Sequence, residues 1–143
     1  MRLNASKTKE LLVYFGRKTL DVPQVVINEV PVERVHSAKL LGVTLTDDLS
    51  WGEHISKIYT KCSQRVYFLR LLARAGAPPT DIVKIYMSII RPVLEYACQV
   101  WHAAITKEQE KLIENIQQRA LRVAFPDLDY SSAMQVSGLD SSL

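Results

Sequence analysis

The sequence predicts an α+β fold, a small antiparallel β-sheet followed by a three-helix bundle. Three observations lead there. Through residue 49, short β-branched runs alternate with turn residues; from residue 50 onward, apolar residues recur every three or four positions. Two Ser/Thr-x-x-Glu/Gln sequences, Ser50 with Glu53 and Thr106 with Gln109, stand where helical runs begin.

Each element can be placed in order. "ELLVYFG" (10–16) reads as a strand, "QVVI" (24–27) and "VPVERV" (30–35) as a hairpin turning at Asn28-Glu29, and "AKLLGVTLT" (38–46) as one further strand. Gly42 inside that last run implies a bulge or the close approach of another backbone. Trp51, Ile55, Ile58, Cys62, Val66, Leu69 and Leu72 then form the apolar stripe of a helix of about six turns. Ser50 is its expected N-cap, and Gly76 with Pro78-Pro79 ends it. Thr80 is expected to cap a second helix, 81–103, apolar on most sides and therefore the buried centre, with a kink at Pro92. The third helix runs from Thr106 to Phe125-Pro126. Residues 126–143 read as a mostly irregular, fraying tail with one helical turn near Tyr130–Val136.

Composition bounds the function classes. The chain has 143 residues, 48% hydrophobic and 23% charged, as one globular domain or a compact piece of one would. A net charge of +3 diagnoses no partner by itself. Cys62 and Cys98 form no CxxC pair and read as reduced thiols of an intracellular protein. No apolar run is long enough to span a membrane, and "MRLNASKTKE" lacks the apolar stretch of a signal peptide. The Asn4-Ala5-Ser6 sequon is then a chance match.

Asp47-Asp48 is the one adjacent acidic pair, and such pairs hold magnesium in polymerases. That chemistry needs a third carboxylate aimed at the same ion, whereas the nearest, Glu53, belongs to the helix start. The pair reads as structural, placed where the helix dipole favours negative charge. His36, His54 and His102 are isolated, which argues against a zinc site or an iron triad. There is no Gly-rich phosphate loop and no nucleophile motif. Trp51 and Trp101 stand at core spacing, and base stacking is the competing use. One surface is patterned. Lys57, Lys61 and Arg65 follow one another at four-residue spacing, with Arg70 and Arg74 beyond them and Glu53 the sole acid nearby. Two readings stay open: a solvated helix face, or a face that meets an anionic partner.

Four stretches, "LNASKTKELLVY" (3–14), "KLLGVTLTDDLSWGEHI" (39–55), "IRPVLEYACQVW" (90–101) and "LIENIQQRALRV" (112–123), together resemble the reverse transcriptase of non-LTR (LINE-type) retrotransposons. They match the part after its catalytic aspartates, in order and across nearly the whole chain. The resemblance implies that residues 1–49 are the end of the palm and 50–125 the helical thumb, and "YSSAMQVSGLDSSL" (130–143) is similar to the family's continuation. Lys7, with Lys9 the alternative, would be a vestigial general acid beside the departing pyrophosphate. Leu41 and Gly42 would lie on the primer-grip strand. Lys57, Lys61 and Arg65 would track the backbone of an RNA or DNA template–primer, weakly and without sequence preference. The family's Tyr-x-Asp-Asp is absent, so nucleotide transfer is not expected from these residues alone, and Mg2+ belongs to the intact parent enzyme. Glu29 stands where the family's hairpin has Gly.

Other function classes compete. A helical protein-interaction module would use the same helices without nucleic acid. Vertebrate sequences of this type also carry the name of the N-terminal domain of an AlkB-homologue tRNA methyltransferase, which would imply methyl transfer or iron(II)/2-oxoglutarate oxidation; neither an iron triad nor a methyl-donor loop is present. No small-molecule ligand and no membrane partner are suggested.

Overall fold

Asn, Gly and Pro punctuate the β-branched runs so closely that each strand is short. In a computed structural model, which describes residues 4–16, 21–96 and 98–139 (backbone alone at His102), these runs form three two-stranded pairings. The chain divides into two units, Met1–His54 and Ile55–Leu143. The α+β class holds.

In the first unit, Asn4 opens a 3-10 turn (Ala5–Lys7) by accepting from the Ser6 amide, and β1 (Lys9–Leu11) follows. β2 (Val26–Ile27) and β3 (Val30–Pro31) make the expected hairpin, with Asn28 and Glu29 both at positive φ as a type I′ turn requires. β4 (Glu33–Val35) pairs with β1 in parallel, Lys9 opposite Glu33 and Leu11 opposite Val35. This pair departs from a purely antiparallel sheet. The Arg34 guanidinium fastens it, donating to both Glu10 oxygens at 3.1 and 3.3 Å and to the Val22 and Pro23 carbonyls.

The run expected as one strand is a second hairpin, β5 (Ser37–Leu40) against β6 (Val43–Thr46), with Leu40 opposite Val43. Gly42 therefore serves a turn, not a bulge: Leu41 (φ 47°) and Gly42 (φ 87°) are its two central residues. Val32, Val43, Thr44 and His54 are this unit's buried side chains among the described residues. The Thr44 amide donates to His54 Nδ1 at 3.2 Å, which places the proton of the neutral ring on Nε2.

α1 (Gly52–Arg74) follows the pattern of its apolar stripe, burying Ile55, Ile58, Cys62, Val66 and Leu69. At its end Gly76 takes φ 86°, with Ala77 N donating to the Leu72 carbonyl and Gly76 N to that of Ala73. That is a Schellman closure. α2 (Pro79–Ile85) starts with Pro79 as its first residue and Pro78 as N-cap, so Thr80 lies inside the helix and is not its cap.

The second helix is broken further than a kink. α2 passes into a π-turn at Tyr86–Ile90, then α3 (Arg91–Glu95), an extended Tyr96, α4 (Cys98–Trp101) and a 3-10 turn at His102–Ala104. Pro92 offers no N–H to Ser88, and the π-turn absorbs the lost bond by pairing Arg91 N with the Tyr86 carbonyl. Ile82, Tyr86, Ile90, Leu94 and Trp101 are buried, but Met87, Ile89, Tyr96 and Val100 are exposed, so the segment is not buried all round.

α5 (Lys107–Ala124) has the full capping box, Gln109 N donating to Thr106 Oγ1 and Thr106 N to Gln109 Oε1. Arg119 on it donates to Ser63 Oγ at 3.1 Å and to the Tyr59 hydroxyl, tying α5 to α1. The expected fraying tail instead folds as α6 (Tyr130–Ser137), with Ala133, Met134 and Leu139 buried. Gly138 ends it at φ 66°. Residues 140–143 lie outside the described residues.

Candidate nucleic-acid interface

Burying one stripe of α1 leaves the opposite side to solvent. There Ser56, Lys57, Thr60, Lys61 and Gln64 line an open groove of about 270 Å³. One turn further, Tyr67 and Phe68 are 55% and 58% exposed, their rings meeting edge to face at 6.5 Å. Arg70 and Arg74 are exposed further along, on the far flank of the helix from Lys61. From His54 to Thr80 the sequence holds no Asp or Glu, but it holds Lys57, Lys61, Arg65, Arg70 and Arg74. Opposite charge within a Debye length of about 8–10 Å would be drawn to this surface.

Lys57 and Lys61 are exposed, as the sequence pattern requires. Arg65 is half-buried, and its Nη1 donates to the Ile89 carbonyl at the π-turn. The reason is geometric. A four-residue step overshoots a 3.6-residue turn by about 40°, so the third member of an i, i+4, i+8 series has drifted about 80° around the helix. That drift carries Arg65 off the outer face to the flank. Inside, burial pushes the Cys62 thiol up to about 11, against the pull of Arg65 and Lys61. Cys62 is a packing residue.

The other site residues named from the sequence lie in the first unit. Leu41 is 83% exposed at the tip of the β5–β6 hairpin, beside exposed Gly42. Lys7 is exposed at the end of the 3-10 turn, and Lys9 makes a surface ion pair with Glu33 at 3.5 Å. Asp48 Oδ1 accepts from Thr46 Oγ1 (2.7 Å) and from the Ser50 amide (2.9 Å). The Thr46 hydroxyl, then the Ser50 amide, hold the Asp48 carboxyl below its ordinary range. Asp47 Oδ2 meets His36 Nδ1 at 2.7 Å. Asp48 serves the turn that joins β6 to α1, and Asp47 ties the end of β6 to His36 ahead of β5. Among the described residues no group of three or more His, Cys, Asp or Glu side chains could hold a metal ion, and no helix is long and apolar enough to cross a membrane.

Over 123 residues, 85% of this chain, it is 31% identical to the "Probable RNA-directed DNA polymerase from transposon X-element" of Drosophila melanogaster. It is 30% identical over 91% of its length to the corresponding protein of transposon BS from the same organism. Against the RNA-directed DNA polymerase from mobile element jockey of Drosophila funebris the identity is 33% over 84% of the chain. The chain belongs with the non-LTR retrotransposon RNA-directed DNA polymerases. It spans 13% to 14% of the length of these three relatives. No protein-family model matches it, and no solved structure does.

For this polymerase relative, the stripe legible in the sequence stops at its lysines and arginines. Gln64, Tyr67 and Phe68 share the outer face of α1 and are missing from that stripe. A helical wheel centred opposite Cys62 and Val66 gathers them.

Proposed function

We propose that this chain supplies template–primer contacts for a retrotransposon RNA-directed DNA polymerase and does not by itself carry out nucleotide transfer. Residues 1–49 act as the end of a palm and 50–125 as a thumb. The observation that carries the reading is the exposed outer face of α1, where Lys57 and Lys61 can each neutralise a phosphate and beyond Glu53 no acid follows in the sequence until Asp81. Arg65 contributes from the flank, one of its N–H groups already used by Ile89. Binding of this kind is weak and reads the backbone, not the bases.

The β5–β6 tip supports a second contact. A leucine in the left-handed region costs about 1–2 kcal/mol, and Leu41 occupies it with an exposed side chain. A hairpin tip reaching a primer end would use such an exposed, strained residue. Gly42 beside it lets another backbone come close. Lys7 is the vestigial general acid. Nucleotide transfer requires carboxylates around two metal ions; the sequence lacks Tyr-x-Asp-Asp, Asp47 is engaged with His36 and Asp48 with Thr46.

Fluorescence anisotropy with a labelled DNA duplex at low salt tests the reading. Lys57→Gln with Lys61→Gln should weaken binding several-fold while leaving the circular dichroism unchanged. Unchanged affinity in that variant would refute it.

A further inference from the structure

We propose that the outer face of α1 binds unpaired nucleic-acid bases as well as phosphates, using Tyr67 and Phe68 as a stacking platform. This rests on the reading of α1 as a nucleic-acid face and goes beyond backbone tracking of a duplex.

The arrangement along the helix carries it. Lys57, Lys61, Gln64 and Phe68 follow at steps of four, three and four, so they lie on one side of α1. Tyr67 flanks Phe68, the two rings meeting edge to face. From Lys61 to Phe68 the rise is about 10 Å, so a strand lying along this side of the helix meets the two lysines and then the rings. Each ring is more than half exposed, and their edge-to-face contact leaves ring face open to a base. Bases inside a duplex are stacked on each other and cannot reach such rings; unpaired bases can.

A protein partner fits this face less well. Interface centres are depleted in Lys, and here Lys57 and Lys61 share the side of the helix with Phe68, with no acid between His54 and Thr80 in the sequence. Charge complementarity selects a polyanion, and the aromatic pair selects one that presents π-faces. A single strand satisfies both.

The test uses the whole chain and three labelled probes: an oligothymidylate, an abasic oligomer with the same number of phosphates, and a duplex. Stacking of one base corresponds to roughly five- to hundredfold in affinity, so the oligothymidylate should bind tighter than the abasic strand by at least that lower factor. Phe68→Ala and Tyr67→Ala should each bring oligothymidylate binding toward the abasic value and leave abasic and duplex binding unchanged; Phe68→Trp should retain the preference. Equal binding of the two single strands by the unmodified chain, with duplex binding intact, overturns the stacking proposal and leaves the duplex reading standing. Failure to bind any probe overturns both. Concentration-dependent self-association that Phe68→Ala abolishes, with oligothymidylate binding unaltered, would make this face a protein interface and also overturn the proposal.

Discussion

Replacing Trp101 by Ala probes the packing that fixes the broken helical segment. The indole is 0% exposed and its Nε1 donates to the Tyr96 carbonyl at 3.3 Å, just where the chain becomes extended. Truncating a buried large aromatic costs about 3–5 kcal/mol, from lost transfer energy and the cavity left behind. The stranded Tyr96 carbonyl adds little, because Tyr96 is exposed and water can replace the indole. With a urea slope of about 2 kcal/mol per molar, the midpoint should fall by roughly 2 M. Helical circular dichroism is the right probe, since it reports the second unit and does not depend on the removed fluorophore. Trp101→Phe keeps a ring and loses the hydrogen bond, so it should cost on the order of 1–2 kcal/mol. A Trp101→Ala midpoint within about 0.5 M of the parent, at unchanged slope, would refute this packing.

Arg65→Met keeps the side-chain stem and removes the donor to Ile89. It should lower stability by about 1 kcal/mol in thermal unfolding and change duplex affinity less than the paired lysine substitutions do. Leu41→Asn relieves the left-handed strain and should stabilise the hairpin by up to about 1 kcal/mol; if the tip meets a primer end, the same variant binds duplex less tightly. The Asp48 carboxyl titrates below its ordinary value of 3.8 when folded. Its contribution is therefore present above the unfolded value and is lost as pH falls through the depressed folded one. The stability difference between the parent and Asp48→Ala should be complete at pH 6 and shrink in more acidic buffer.

What the sequence can disclose depends on how local the cause is. The Thr106–Gln109 box and the Asn28-Glu29 turn are each set by a few adjacent residues, and both form where those residues stand. The Leu41-Gly42 turn is equally local, but leucine rarely enters the left-handed region, so the run reads as one strand. Pro92 signals a break; how far the helix is remodelled depends on packing around Tyr86, Ile90 and Leu94, which no single residue encodes. The parallel pairing of β1 with β4 joins segments far apart in sequence and has no local signal. Arg65 is misplaced by the pattern for a simpler reason: an even four-residue spacing does not follow the helical period.

The central claim, that Lys57 and Lys61 meet phosphates, is tested most directly by the salt dependence of duplex binding. Each neutralised phosphate adds about 0.9 to the slope of log K against log salt on B-form DNA. The parent chain and the Lys57→Gln, Lys61→Gln variant should therefore differ in slope by about 1.8, with affinities converging at high salt. Parallel slopes, however different the affinities, would contradict the account.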